Sequence, residues 1–461
     1  MPASAPNSAP VVVIGGGISG LACAARLKQR GVPYLLLEKS ARFGGVIQSI
    51  EQDGFLFEFG PQGVLLTPEL RELAEFAGLA SDLLQANPRA PRFIYTGGRL
   101  IRAPLSPPAL IASPLLDATA KWRLITEPLR RTRPPEDDES LAAFTRRKFG
   151  ESLLDNLVGP FVSGIYAGDP ELLSFRAAFP QVHKWEMESG SVLRGAIKQA
   201  RSRPKGSPAR PTLHSLKRGI GSFLEALGKA LGASARTEAA VESIERISSG
   251  SPPAFRIRVS AQGRAETLDA AAIIVATDPA AAGRLLAPIS RKFPSLLEPI
   301  PFAPVAVVAA GYRSSAVSHK IEGFGFLVPR KEGLRILGTV FNSSLFPGRA
   351  SEGNLLLTTF AGGATNPGLC AWPEDRIAAA IHEDLARILG IGEAPVIQRI
   401  RIYPRALPQY NLGHTRTIAA LEDLCREFPG IALAGNYLEG PSTGACVARS
   451  FRIADNLTSL S

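Results

Sequence analysis

From Val11 to Arg92 the chain alternates short apolar runs with amphipathic segments, and glycines punctuate the changes. Val11 to Ile14 is uninterrupted apolar, a glycine turn comes next, and Leu21 to Gly31 then places apolar residues on one face and Arg26, Lys28 and Arg30 on the other. A second run, Pro33 to Leu37, completes a strand, turn, helix, strand pattern, which predicts the βαβ unit of a parallel sheet. Beyond it, residues 92–211 read as proline-punctuated helical segments rich in Arg and Lys, a separate helical domain. Its far end, residues 200–211, mixes Pro, Gly, Ser and basic residues and reads as a solvated loop.

Residues 212–284 return to the first texture, with one helix (Ser222 to Gly232) and strands around Ala239, Phe255 and Ala272. Residues 285–420 carry alternating apolar strands, among them Pro304 to Tyr312, Gly323 to Pro329, Leu334 to Phe341 and Asn354 to Gly363, which suit an antiparallel sheet over a cavity. Residues 421–461 again give strand, glycine turn and helix. The expected fold is therefore α/β: a discontinuous Rossmann-like nucleotide-binding domain from residues 10–91, 212–284 and 421–461, an inserted helical domain, and an antiparallel-sheet substrate domain. The length of 461 residues suits several domains that enclose a cofactor between them.

Charge narrows the partners. The chain has 52 Lys plus Arg against 41 Asp plus Glu, a formal charge of +11, and so favours anionic partners. No helix-turn-helix pattern, zinc-ligand spacing or RNP-type strand accompanies this charge, which excludes nucleic acid and leaves an anionic membrane surface or a carboxylated substrate. Cys23, Cys370, Cys425 and Cys446 lie far apart without a Cys-x-x-Cys pair, so neither a metal site nor a disulfide framework is expected, and a reducing cytoplasm is the default. The first ten residues have no basic n-region and read as a frayed tail; no run reaches the roughly 18 to 20 apolar residues that span a bilayer. Any membrane contact would be peripheral, on the inner face of the cell membrane, and a homodimer is compatible with these properties.

The turn after Ile14 is Gly15-Gly16-Gly17-Ile18-Ser19-Gly20, a G-x-G-x-x-G in strand-to-helix context. Gly15 permits the tight turn, Gly17 lets backbone approach a pyrophosphate, and Gly20 lets the helix pack on the strand, with the diphosphate at the helix N-terminus. Glu38 ends the next strand at the distance that reaches ribose hydroxyls.

The segment beginning at this acid, Glu38-Lys39-Ser40-Ala41-Arg42-Phe43-Gly44-Gly45, resembles the E-x-x-x-R-x-G-G extension of the FAD-dependent amine oxidase superfamily. The resemblance implies one non-covalent FAD per chain, lined by Arg42, Gly44 and Gly45, with the Gly60-Pro61-Gln62-Gly63 backbone beside the flavin ring and that of Val241 at the adenine. It also implies that Gly435, Asn436 and Pro441-Ser442-Thr443-Gly444 close over the flavin, and that N–H groups from Ala445 to Val447 face the reduced ring.

A longer stretch, Gly159 to Pro170 continuing to Pro180, is similar to the protoporphyrinogen oxidase signature, and Ile336 to Ala350, Leu356 to Pro367 and Tyr403 to His414 resemble that family's substrate domain. This implies oxidation of a porphyrinogen to a porphyrin in three two-electron steps, each ending in oxygen reduced to hydrogen peroxide. Flavin N5 carries that chemistry, so no protein side chain is singled out as catalytic. On the same resemblance Arg92 binds a substrate propionate, Leu327 and Phe346 flank a macrocycle ring, and Gly164 and Ala167 lie near the reacting meso carbon. Gln62 departs from the family's G-P-R-G, which leaves open whether the substrate is protoporphyrinogen IX or coproporphyrinogen III. The segment Arg99 to Ile111 resembles a membrane-lying one. An amine oxidase is the alternative, and it would need an aromatic pair from Tyr403, Tyr410 and Tyr437 facing the flavin. The five histidines show neither triad nor metal spacing.

Overall fold

The computed structural model describes residues 9–130, 135–202, 211–248 and 254–458. Its nucleotide-binding part is a parallel sheet of five strands, ordered Ala235–Arg236, Tyr34–Leu37, Val11–Ile14, Ala272–Val275 and Ile431–Leu433. Val11–Ile14 is central, with buried side chains on both faces, as expected of a strand covered by helices on both sides. The helices Ile18–Gln29 and Thr443–Thr458 lie together on one face. Cys23 Sγ donates to Ser450 O, and Arg26 reaches Asp455 at 2.9 Å while lying 4.9 Å over the Phe451 ring. An antiparallel meander of Ala239–Ser248, Ala254–Ala261 and Arg264–Ala270 flanks the sheet.

The substrate part is a seven-stranded sheet, ordered Ile397–Pro408, Phe302–Arg313, Asn354–Gly362, Ile336–Phe341, Gly325–Leu327, Arg92–Thr96 and Arg99–Arg102. All its pairs are antiparallel except Gly325–Leu327 with Arg92–Thr96. One expected boundary moves as a result. Residues 92–102 belong to the substrate sheet, not to the helical domain, because Gly97 and Gly98, both at positive φ, turn the chain into a hairpin whose first strand pairs with 325–327. Helix Glu374–Leu389 covers the sheet's outer face through Ile377, Ile381, Leu385 and Leu389. The helical domain runs from Pro107 to Ser202, so the loop expected at 200–211 starts inside a helix, and its residues 203–210 lie outside the described residues, as does most of the N-terminal tail. Among the described residues no helix is long and apolar enough to cross a membrane.

A buried polar group joins the two large parts. Glu58, fully buried, accepts from Ser49 Oγ at 2.5 Å and from the Ile220 amide at 2.8 Å, so it caps the helix Gly221–Leu231 from a distant strand. Arg349, also buried, donates to Ser215 Oγ at 2.7 Å and Leu216 O at 3.0 Å. Burial raises the Glu58 carboxyl to about 7, against the bonds from Ser49 and Ile220 and the field of Arg349. A carboxyl raised on folding is bound to its proton more tightly in the native state, so stability is highest below the unfolded value and falls as pH rises toward 7. The loss is on the order of 3 kcal/mol. Thermal melts of the wild type from pH 5 to 8 should slope downward and those of Glu58→Gln should be flatter; equal slopes would remove Glu58 as the cause.

Candidate functional site

The glycines of the first turn are required for separate reasons. Gly15 has φ +108°, and a Cβ there would lie 2.7 Å from Ala276 O. A Cβ on Gly20 would lie 1.8 Å from Gly15 O, so helix and strand meet with no room for a side chain. A Cβ on Gly17 would meet nothing within 4 Å, which leaves its backbone open to a ligand. Glu38 Oε2 accepts from the Gly16 amide at 2.6 Å and Oε1 from the Ser40 amide at 2.8 Å, which fixes a carboxylate beside the turn. These features fit a dinucleotide: backbone at a helix N-terminus for the diphosphate, and an acid placed for ribose hydroxyls. Lys39 beside Glu38 is exposed, and Val241 is half-buried where the Ala239–Ser248 strand bulges.

Gly45 lies against Gly17, its Cβ position 3.7 Å from the Gly17 Cα, so the 43–47 loop forms the next part of the wall. Arg42 is not free to serve as a bare cation for a diphosphate, because its guanidinium donates to Phe43 O, Ile47 O and Gly45 O at 3.2, 3.1 and 2.7 Å. It holds the loop in which Gly44 and Gly45 adopt positive φ. Gly60 comes next, 3.1 Å from Val46 O at its Cβ position, and Gly63 packs on Leu213. Pro61 is half-buried between them, whereas Gln62 is buried and pins the turn. Gln62 Nε2 donates to Glu58 O and Gly60 O at 3.0 Å, and Oε1 accepts from Asn342 Nδ2 at 2.6 Å.

The C-terminal turn closes this wall. Gly435 has φ +156°, Asn436 and Pro441 are half-buried, and the Cβ position of Gly444 lies 2.8 Å from Thr67 Cγ2, next to the strand that leaves Gly63. Ser19 contacts Cys446, Cys23 contacts Ser450 and Arg26 contacts Asp455, so the helices starting at Ile18 and Thr443 run parallel. Both positive ends therefore face the same cleft. One expectation changes: the amides of Ala445 and Cys446 are taken by Ser442 Oγ and Ser442 O, at 3.2 and 3.0 Å. Ser442 acts as an N-cap, Val447 is buried in the helix, and the dipole and the amides of Thr443 and Gly444 are what the cleft is offered.

The residues expected to meet the substrate lie on the inner face of the seven-stranded sheet. The pairings Leu327↔Gly338, Gly338↔Phe360 and Phe360↔Val307 put these residues in one row on that face. Helix Gly159–Tyr166 lies across it: the Cβ position of Gly164 is 2.6 Å from Leu327 Cδ2, so a larger residue there would displace Leu327. Phe161 and Ile165 stay exposed on the same helix. Ala167 ends the helix at φ +46°, and its carbonyl accepts from Ala364 N at 2.7 Å. Gly164, Ala167 and Leu327 thus come together. Arg92 is exposed, pairs with Gly325 two residues before Leu327, lies 4.9 Å over the Phe324 ring, and makes no salt bridge among the described residues. Phe346 does not line an open wall: it is 1% exposed, packed with Ala86, Ala90 and Leu345, with Arg349 5.4 Å over its ring.

Residues 18–452 match the family described as flavin containing amine oxidoreductase. The chain is 32% identical over 99% of its length to the chloroplastic protoporphyrinogen oxidase of Nicotiana tabacum, covering 88% of that protein. The chain belongs to the protoporphyrinogen oxidase family of flavin-containing amine oxidoreductases. It is also 28% identical to the coproporphyrinogen III oxidase of Bacillus subtilis, with 98% of each chain covered. A crystal structure from Exiguobacterium sp. 255-15, assigned as a protoporphyrinogen oxidase, superposes with a TM-score of 0.79 at 26% identity, covering 98% of this chain and 99% of that one. The protein is a flavin-dependent oxidoreductase.

Sequence reading named Gln62 for its backbone and its departure from the family pattern, and overlooked two side chains, Asn342 and Gln409. Gln62 and Asn342 join the Gly60–Gly63 turn to the substrate part, and Gln409 donates to Tyr166 O at 2.8 Å beneath Ala167. The motif Pro408-Gln409-Tyr410 was a signal for the last of these, since a buried Gln-Tyr pair after a strand must find partners. Tyr403, Tyr410 and Tyr437 make no ring contact with one another: Tyr403 donates to Val46 O at 3.3 Å and Tyr410 donates to Asn436 O. Among the described residues no His, Cys, Asp or Glu cluster could hold a metal.

Proposed function

We propose that the protein oxidises protoporphyrinogen IX to protoporphyrin IX with non-covalent FAD and molecular oxygen, releasing three hydrogen peroxide per porphyrin. The observation that carries this reading is the apolar wall where Gly164, Ala167 and Leu327 come together on the substrate sheet, with an exposed arginine, Arg92, which makes no salt bridge among the described residues, at the start of a neighbouring strand. A large apolar macrocycle with carboxylate tails needs both features. The flavin supplies a two-electron acceptor. Gly15 to Gly20 and Glu38 hold the nucleotide end, Gly60 to Gly63 and Gly435 to Gly444 the ring end. Arg92 fixes a propionate, and the wall around Ala167 orients the macrocycle and keeps water away. Loss of a meso hydride is favoured by the adjacent pyrrole nitrogens, so orientation does most of what the chain must do. Cys446 is no attachment point, since it is turned to Ser19 and burial pushes its thiol to about 11.

Coproporphyrinogen III is the second reading, favoured by the Bacillus relative and by the chain's formal charge of +11, which suits a substrate with more carboxylates. Aerobic assays with both porphyrinogens separate the two, and peroxide released in a ratio other than three per porphyrin would contradict oxygen as the direct acceptor.

We further place the protein in the cytoplasm, peripherally on the membrane. Trp122, Ile125 and Leu129 follow one another at helical spacing and are 67%, 53% and 78% exposed, Ile111 is exposed in the same domain, and Leu105 is exposed just before it, a few residues after Arg99 and Arg102. Replacing Trp122 and Ile125 together by Glu should abolish flotation with anionic vesicles while flavin content stays normal. Unchanged flotation would remove this face from the membrane.

A further inference from the structure

We propose that Tyr410 is a positioning residue whose hydroxyl holds the C-terminal flavin turn, and through it the helix that begins at Thr443, at the position that favours the electron-rich flavin; the inference rests on the flavin reading above. The chain between the Ile431–Leu433 strand and this helix passes through Gly435 and Gly440, both at positive φ, so its backbone has wide freedom unless something fixes it. One side-chain oxygen does so from the substrate domain. The Tyr410 hydroxyl donates to Asn436 O at 2.5 Å and accepts from the Gly440 amide at 2.6 Å, closing the turn across both its ends.

The ring that carries this hydroxyl is itself fixed. Tyr410 is 1% exposed, stacked on His414 at 4.2 Å with planes 12° apart, and met edge-on by Tyr166 at 5.8 Å. Burial pushes the phenol well up, so it keeps the proton it donates. The preceding residue, Gln409, donates to Tyr166 O at 2.8 Å, just before Ala167. Two adjacent side chains therefore grip the two walls of the site, Gln409 the substrate wall and Tyr410 the flavin turn. Removing the hydroxyl leaves a carbonyl and an amide without partners and lets the turn relax away from the ring.

The helix from Thr443 presents its positive end to the flavin, so a relaxed turn stabilises added negative charge less. Tyr410→Phe should retain flavin and show a more negative flavin midpoint potential. Its kcat should fall on the order of tenfold to a hundredfold while KM stays within about twofold. An unchanged potential together with unchanged kcat would overturn the proposal, as would a rise in KM alone. The potential is read by dye equilibration without porphyrinogen, so a failure of the substrate reading leaves this result interpretable. A second measurement needs no variant: in the wild-type flavoprotein the Gly440 amide should exchange hydrogen much more slowly than that of exposed Glu439, and equal exchange would sink the idea even if Tyr410→Phe did not fold.

Discussion

Gly20→Val should give a protein that purifies without flavin. A Cβ at this position would sit 1.8 Å from Gly15 O and 3.0 Å from Gly15 C, backbone that cannot swing aside, with Ala276 Cβ 3.4 Å away. The helix Ile18–Gln29 would have to lift off the central strand, at a cost of about 1–3 kcal/mol or more, and its N-terminus would leave the diphosphate position. Gly17→Ala provides the contrast. Its Cβ meets no protein atom within 4 Å, so the apoprotein should melt like the wild type while flavin affinity drops, because the methyl group occupies the space a diphosphate needs. Flavin-to-protein absorbance ratios and melting of apoprotein measure both. Full flavin occupancy in Gly20→Val would contradict the assignment of this turn.

Arg92→Leu should raise KM for the porphyrinogen by about tenfold to a hundredfold, the size expected from losing a charge-assisted hydrogen bond pair to a carboxylate. Its kcat should change less, and flavin content should stay normal because Arg92 belongs to the substrate sheet and not to the nucleotide-binding sheet. Arg92→Lys should fall between, since an ammonium keeps the charge and loses the planar fork. Phe324 beneath the guanidinium gives the arginine a fixed base, so part of the KM effect comes from a cation already in place. KM unchanged in Arg92→Leu would take this residue out of the site.

The nucleotide end was legible because its determinants are local. A buried strand, four glycines within six residues and an acid after the next strand specify a turn that contains nearly all of its own geometry. The strands of the substrate sheet were legible as elements for the same reason, but their order was not. Residues 92–102 join the sheet by pairing with 325–327, a contact between segments far apart that no local pattern encodes. Side-chain roles failed where a residue had competing partners. Arg42 found three loop carbonyls, and Ser442 took the amides of Ala445 and Cys446. Phe346 shows the other limit: an apolar residue reads alike whether it lines a chamber or fills a core, and here it fills one. Tyr410 was named only as one of three tyrosines that could face the flavin, and the use of its hydroxyl depends on Asn436 and Gly440 folding back onto it.

The most direct test of the account is to mix the purified yellow protein with protoporphyrinogen IX in air, with coproporphyrinogen III in parallel, and to follow porphyrin fluorescence. Enzyme-dependent fluorescence is expected with protoporphyrinogen IX, at a higher kcat/KM than with coproporphyrinogen III. Turnover of neither, or oxidation of benzylamine or spermine instead, would contradict it.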